Sequence, residues 1–173
     1  MTAIRIIDEF TGDITKDILL ETITVENTTV ETTVWTAGMA ANSLSEGVAF
    51  KIHADGLINN GGPAAADEIT LRIKVSGNTI VTLSPSTKTL TDEHWHLDAN
   101  ATQRTIGATG QRAIHLDLSI GDADTVNVTG VATVNTTLSM DVTITVEWAS
   151  EDVANIFKLY QAFTSYKNIL SQL

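Results

Sequence analysis

From Leu138 to Trp148 the chain alternates without a break. Leu138, Met140, Val142, Ile144, Val146 and Trp148 share one parity, and Ser139, Asp141, Thr143, Thr145 and Glu147 the other. Side chains on an extended backbone point to opposite faces in turn, so this pattern makes a strand with one dry face and one wet face. A helix would scatter the same residues around its circumference. The pattern recurs. Val48, Phe50, Ile52 and Ala54 oppose Lys51, His53 and Asp55. Ile69, Leu71, Ile73 and Val75 oppose Thr70, Arg72 and Lys74, and Ile114, Leu116, Leu118 and Ile120 oppose His115, Asp117 and Ser119. One dry face per strand belongs to antiparallel sheets; strands of a parallel α/β core are apolar on both sides.

Weaker strand signals cover Ile18–Glu26, Val30–Thr36, Thr79–Ser84, His94–Asp98 and Thr125–Thr133. They are rich in Thr and Val, whose branched Cβ fits a pleated surface. A strand end and a loose Asn/Gly loop are read at Gly56-Leu57-Ile58-Asn59-Asn60-Gly61-Gly62, and a two-residue hairpin turn at Gly77-Asn78. About eight short strands separated by such turns predict an all-β fold, an antiparallel β-sandwich of the jelly-roll kind. The 173 residues, 43% of them hydrophobic, suit one domain with a core of its own. Residues 1–28 read as an N-terminal arm or first strand, with Met1–Lys16 outside the core, and residues 29–173 as the jelly-roll domain.

The C-terminal segment reads two ways. Ser150, Glu151 and Asp152 suit the first turn of a helix, with Ile156, Leu159, Phe163, Tyr166 and Leu170 as its apolar stripe. Yet Phe157, Leu159 and Phe163 also alternate with Lys158, Tyr160 and Thr164, as a strand would.

Charge narrows the partners. A net charge of −11, with only 10 Lys and Arg, repels phosphate backbones and anionic membrane surfaces, which argues against nucleic-acid and membrane binding. No apolar run reaches the ~20 residues of a membrane helix. The first residues lack the basic and long apolar regions of a secretory signal. The absence of cysteine excludes disulfides and thiolate-ligated metals.

Candidate chemistry is sparse. There is no Gly-x-Ser-x-Gly elbow, no His-Glu-x-x-His and no phosphate-cradling glycine loop, so no catalytic residue and no cofactor site is assigned, and a non-enzymatic protein is expected. His94, His96 and Asp98 project from one face of a strand, and imidazole with carboxylate suits zinc or nickel. Alternate residues on one strand lie about 6.5–7 Å apart, too wide for three ligands each about 2.1 Å from a single ion, so these three are only weak metal candidates and no metal is assigned. Asp117, Asp122 and Asp124 offer oxygens but lack the spacing of a calcium loop. Trp95 and Trp148 fall in phase with apolar faces and belong to the core. Trp35 is out of phase with Val30, Thr32 and Val34, which predicts a surface position. Trp35, His94, His96 and Tyr160 are thus the candidates for an interface or binding surface.

One set of spaced motifs resembles a known family. Glu31-Thr32-Thr33-Val34-Trp35, Ala41-Asn42-Ser43-Leu44, Gly56-Leu57-Ile58-Asn59-Asn60, Leu71-Arg72-Ile73-Lys74 and Gly77-Asn78-Thr79 follow one another. Then come His94-Trp95-His96-Leu97, Thr143-Ile144-Thr145-Val146-Glu147-Trp148 and Asn155-Ile156-Phe157-Lys158-Leu159-Tyr160-Gln161-Ala162. This series resembles small jelly-roll virion proteins of tailed bacteriophages, from Val30 to Tyr166. The resemblance implies a virion structural protein, a homotrimer that decorates the capsid or forms part of a fibre or tail, held to the major capsid protein or another virion protein. It also implies a last strand near Asn155–Tyr166. Pro63–Asp67 looks like an enlarged loop and Gly121–Thr137 fits poorly. The arm lies outside the match, so the docking segment does not transfer. The alternative function is a carbohydrate- or receptor-binding jelly-roll module whose partner is a host-surface glycan.

Overall fold

The computed structural model describes residues 13–60, 68–83, 89–121 and 124–167. Eleven antiparallel strands stand among them: β1 Asp13–Lys16, β2 Ile23–Glu26, β3 Thr32–Met39, β4 Ala49–Asn59, β5 Ile69–Val75, β6 Asn78–Leu83, β7 Glu93–Thr105, β8 Gly110–Ile120, β9 Asp124–Val134, β10 Met140–Trp148 and β11 Ile156–Lys167. A seven-stranded sheet runs β11-β4-β7-β8-β9, with β1 and β2 end to end along the outer edge of β11. A four-stranded sheet runs β3-β10-β5-β6. Their dry faces meet in one core, and the result is a jelly-roll-like β-sandwich. Trp95, Trp148, Phe157, Leu97, Leu116, Leu118 and Ile144 are fully buried in it.

The architecture agrees with the expected fold class, with more strands than the eight anticipated. The strand that no sequence signal marked is the short edge strand β1. The C-terminal alternatives resolve as a strand: residues 156–167 form β11, which pairs with β4 along its whole length. Residues 168–173 lie outside the described residues, as do residues 1–12 of the expected arm and the 61–67 loop.

Two β-bulges explain where the parity fails. In β3, Trp35 stands opposite Ile144 and Thr33 opposite Thr145, so Val34 is an extra residue. A bulge reverses the side-chain alternation. Trp35 therefore joins Ala37 and Met39 on the dry side, 5% exposed, and the expected surface position is wrong. Its indole Nε1 donates to the Asp17 carbonyl at 2.9 Å, which satisfies the one polar atom of the ring. In β11 the register against β4 shifts between Leu159 and Gln161, leaving Tyr160 as the extra residue.

The motif glycine and asparagines have structural tasks. Gly56 does not end a strand; β4 runs through it. A Cβ there would lie 1.8 Å from the Lys158 carbonyl oxygen and 2.8 Å from Trp95 Nε1. The indole crosses this gap and donates to the same Lys158 carbonyl at 3.0 Å, with its ring stacked on Phe157 at 4.8 Å. Asn60 exchanges two bonds with the Leu90 backbone: its Oδ1 accepts from the Leu90 N–H at 2.7 Å, and its own N–H donates to the Leu90 carbonyl at 3.1 Å. The Asn59 side chain does the same for Asp92, accepting from its backbone N–H and donating to its carboxylate. The pair thus fastens the lead-in of β7 to the end of β4. The hairpin turn between β5 and β6 is Ser76-Gly77, not Gly77-Asn78. Both central residues have positive φ, 50° and 78°, and Asn78 already pairs with Val75.

One core residue is costly. The Arg112 side chain is fully buried, its Nε donates to Gln103 Oε1 at 3.1 Å, and its guanidinium carbon lies 4.6 Å from the centre of the Phe50 ring. Nη1 and Nη2 find no partner among the described residues. Burial disfavours the charged form and lowers the pKa to about 10, while Tyr166 opposes the shift weakly. A base held below its unfolded value binds fewer protons when folded, so this group costs about 3 kcal/mol at neutral pH, and the cost fades as pH rises through 10.

Candidate functional site

All four histidines of the chain, His53, His94, His96 and His115, stand on the outer face of the seven-stranded sheet. Their own sequence parity puts them there, since the alternate residues Ile52, Ala54, Trp95, Leu97, Ile114 and Leu116 fill the core. Strand register then decides which of them meet. In the β4–β7 pairing His53 lies opposite Asp98, Asp55 opposite His96 and Leu57 opposite His94. The row through Asp98 continues to Asp117 on β8 and Asn127 on β9, and on the other side from His53 to Phe163 on β11.

The result is a compact cluster across two strands. His53 Nδ1 lies 3.1 Å from Asp98 Oδ1, and His53 Nε2 lies 3.1 Å from Asp55 Oδ2. His96 Nε2 lies 3.2 Å from Asp98 Oδ2, and Lys51 Nζ lies 2.9 Å from Asp98 Oδ1. The His53 and His96 rings meet edge to face at 4.7 Å, and Phe163 stacks on His53 at 4.9 Å. Burial pushes the Asp98 carboxyl up, but hydrogen bonds from Lys51, His53 and His96 and the Lys51 charge outweigh it and hold the group below the usual aspartate value.

The structure brings together two of the three residues that the sequence offered as weak metal candidates. His96 and Asp98 come together; His94 stands one residue pair further along, opposite Leu57, and does not join them. His53 takes its place. Side chains directly opposite on paired strands have Cβ atoms about 4.5–5.5 Å apart, closer than alternate residues on one strand. The wet parity of Lys51, His53 and Asp55 was visible in the sequence; the register that sets them against β7 was not. Of the other candidates, Tyr160 is 41% exposed at the β11 bulge and Trp35 is in the core. His115 pairs with Asp117 at 3.1 Å beside an open concavity of about 490 Å³ lined by Asn100, Thr102, Arg104 and Thr129. Asp122 of the acidic turn lies outside the described residues.

The opposite face of the sandwich carries its own network. Glu31 receives Lys74 Nζ at 2.6 Å and the Thr145 hydroxyl at 2.5 Å, and Arg72 donates to Glu147 at 2.6 Å while lying 3.6 Å from Glu31. Hydrogen bonds from Lys74 and Thr145 lower the Glu31 pKa. Glu31, Lys74 and Thr145 line an open concavity of about 370 Å³ on this face.

No protein-family model matches the chain, and no curated protein matches it. Among solved structures, the chain is similar to the CBM2 module of the evolved Dit protein of Lactobacillus casei BL23 phage J-1, at 13% identity and a TM-score of 0.37, over 84% of this chain and 75% of that one. A likeness at this level says nothing about function.

Proposed function

We propose that this protein is a non-enzymatic structural component of a tailed-phage virion, a homotrimer seated on the capsid or built into a fibre or tail. The observation that carries the reading is the placement of the polar groups. Among the described residues, the histidines and their aspartates and the Glu31–Lys74–Arg72–Glu147 network lie on the outer faces of the two sheets, beside open concavities and not inside an enclosed cleft. Broad, open sheet faces suit contact with other proteins, and three linked copies would let weak individual contacts hold. The spaced motifs that resemble phage virion proteins support the same reading. Their conspicuous residues serve the fold: Gly56 admits Trp95, Asn59 and Asn60 fasten β7, and Trp148 fills the core.

The rival reading, a carbohydrate- or receptor-binding module, calls for exposed aromatic rings on which a sugar can stack. Trp35, Trp95 and Trp148 are all buried, which leaves Tyr160 as the exposed large aromatic among the described residues. The test is immunogold labelling of phage particles released from cells that carry this gene, with an antibody to the purified protein. Regular labelling of heads or tails is expected. Unlabelled particles beside a positive lysate would contradict the proposal.

A further inference from the structure

We infer that His53, His96 and Asp98 form a binding site for a divalent transition-metal ion of the zinc class. Their ligand atoms all lie within 4.8 Å of one another. Four-coordinate zinc, with bonds of about 2.0–2.2 Å to nitrogen and oxygen, sets its ligand atoms about 3.3–3.5 Å apart. A change of about 1.5 Å in the widest separation, shared between the flexible ends of two side chains, closes the set. Two imidazoles and one carboxylate are a donor set that zinc accepts, and the outward face of the sheet leaves the fourth position to water.

A second observation adds to the ligand geometry. His53 has a carboxylate at each ring nitrogen, Asp98 at Nδ1 and Asp55 at Nε2. An imidazole that ligates a metal keeps one N–H, on the nitrogen away from the ion, and donates it to a single acceptor. With a metal ion shared between His53 Nδ1 and Asp98, the Nε2–H donates to Asp55, and every polar atom of the ring has a role. A carboxylate on the far nitrogen is the usual outer support of a metal-ligating histidine, fixing its tautomer and orientation. Phe163, stacked on the ring, holds its plane. Lys51 is the opposing element, because its ammonium shares Asp98 Oδ1 and repels a cation.

The experiment is calorimetric titration of zinc chloride into the chelator-treated full-length protein at neutral pH. A single saturable site is expected. His53→Ala and His96→Ala are expected to weaken it more than 100-fold, and Asp55→Ala, which removes the acceptor at His53 Nε2, by about 10–100-fold, the usual effect of losing an outer partner. Lys51→Ala tightens it. His115→Ala, which removes an imidazole from the same sheet face, leaves it unchanged. Thermal unfolding without metal verifies that each variant folds, with His96→Gln as the substitute if His96→Ala does not. Cobalt(II) titrated in place of zinc is expected to give the intense visible absorption of a tetrahedral site. No saturable binding by the wild-type protein, or binding that survives loss of both His53 and His96, would overturn the inference.

Discussion

Gly56→Ala is expected to lower the urea midpoint sharply, by about 3 kcal/mol or more of stability, and to drop the melting temperature by roughly 6–12 °C. The added methyl would sit 1.8 Å from a backbone oxygen, that of Lys158, so no side-chain rotation relieves it. Either β4 and β11 separate, or the Trp95 indole, 2.8 Å away, is driven out of its place. Both routes break core contacts, because β11 holds β1, β2 and β4 together. Against a total stability of about 5–15 kcal/mol, such a loss is large. Circular dichroism against urea measures it directly. An unchanged midpoint would mean that β4 and β11 do not approach as described.

Trp95→Ala is expected to cost about 3–5 kcal/mol through lost packing. The ring is fully buried and stacks on Phe157, and its removal also strips the Lys158 carbonyl of its indole donor. Trp95→Phe separates the two losses. It keeps a ring against Phe157 and removes the hydrogen bond, for an expected cost of about 1–3 kcal/mol, the usual cost of an unpaired buried group. Combining Trp95→Phe with Gly56→Ala tests the geometry further. The phenyl ring relieves the contact with the indole nitrogen but not the one with the Lys158 backbone, so most of the Gly56→Ala penalty persists. Full rescue by Trp95→Phe would show that the indole, and not the β11 backbone, sets the requirement for glycine. Equal costs for Trp95→Ala and Trp95→Phe would contradict the stacking on Phe157.

Parity along the chain was enough to place β4, β5, β8 and β10 and most of their core residues. It failed where a strand takes an extra residue. The β3 bulge at Val34 turned Trp35 inward, although the residues before it predict the opposite. The bulge at Tyr160 did more. It separates the buried pair Phe157 and Leu159 from the buried pair Ala162 and Thr164 by three residues instead of two, and the helical stripe of Ile156, Leu159, Phe163 and Tyr166 arises because apolar residues such as Ile156 and Phe163 also stand on the outer face of the strand. A bulge has no strong sequence signature, so only pairing with β4 reveals it. The histidine cluster was half legible for a related reason. Which side chains share a face is a local property of each strand; which strands neighbour one another, and in what register, is a property of the whole fold. His53 and Asp98 are 45 residues apart and meet only because β4 pairs with β7. Arg112 was missed because it sits at a dry-parity position, between Ala113 and Gln111, that composition would assign to an apolar residue.

The native mass of the purified protein, measured by multi-angle light scattering, tests the proposed assembly most directly. The account predicts a mass near three chains of 18.5 kDa each, constant on dilution. A single chain at all concentrations would contradict a trimer whose sheet faces serve as contact surfaces.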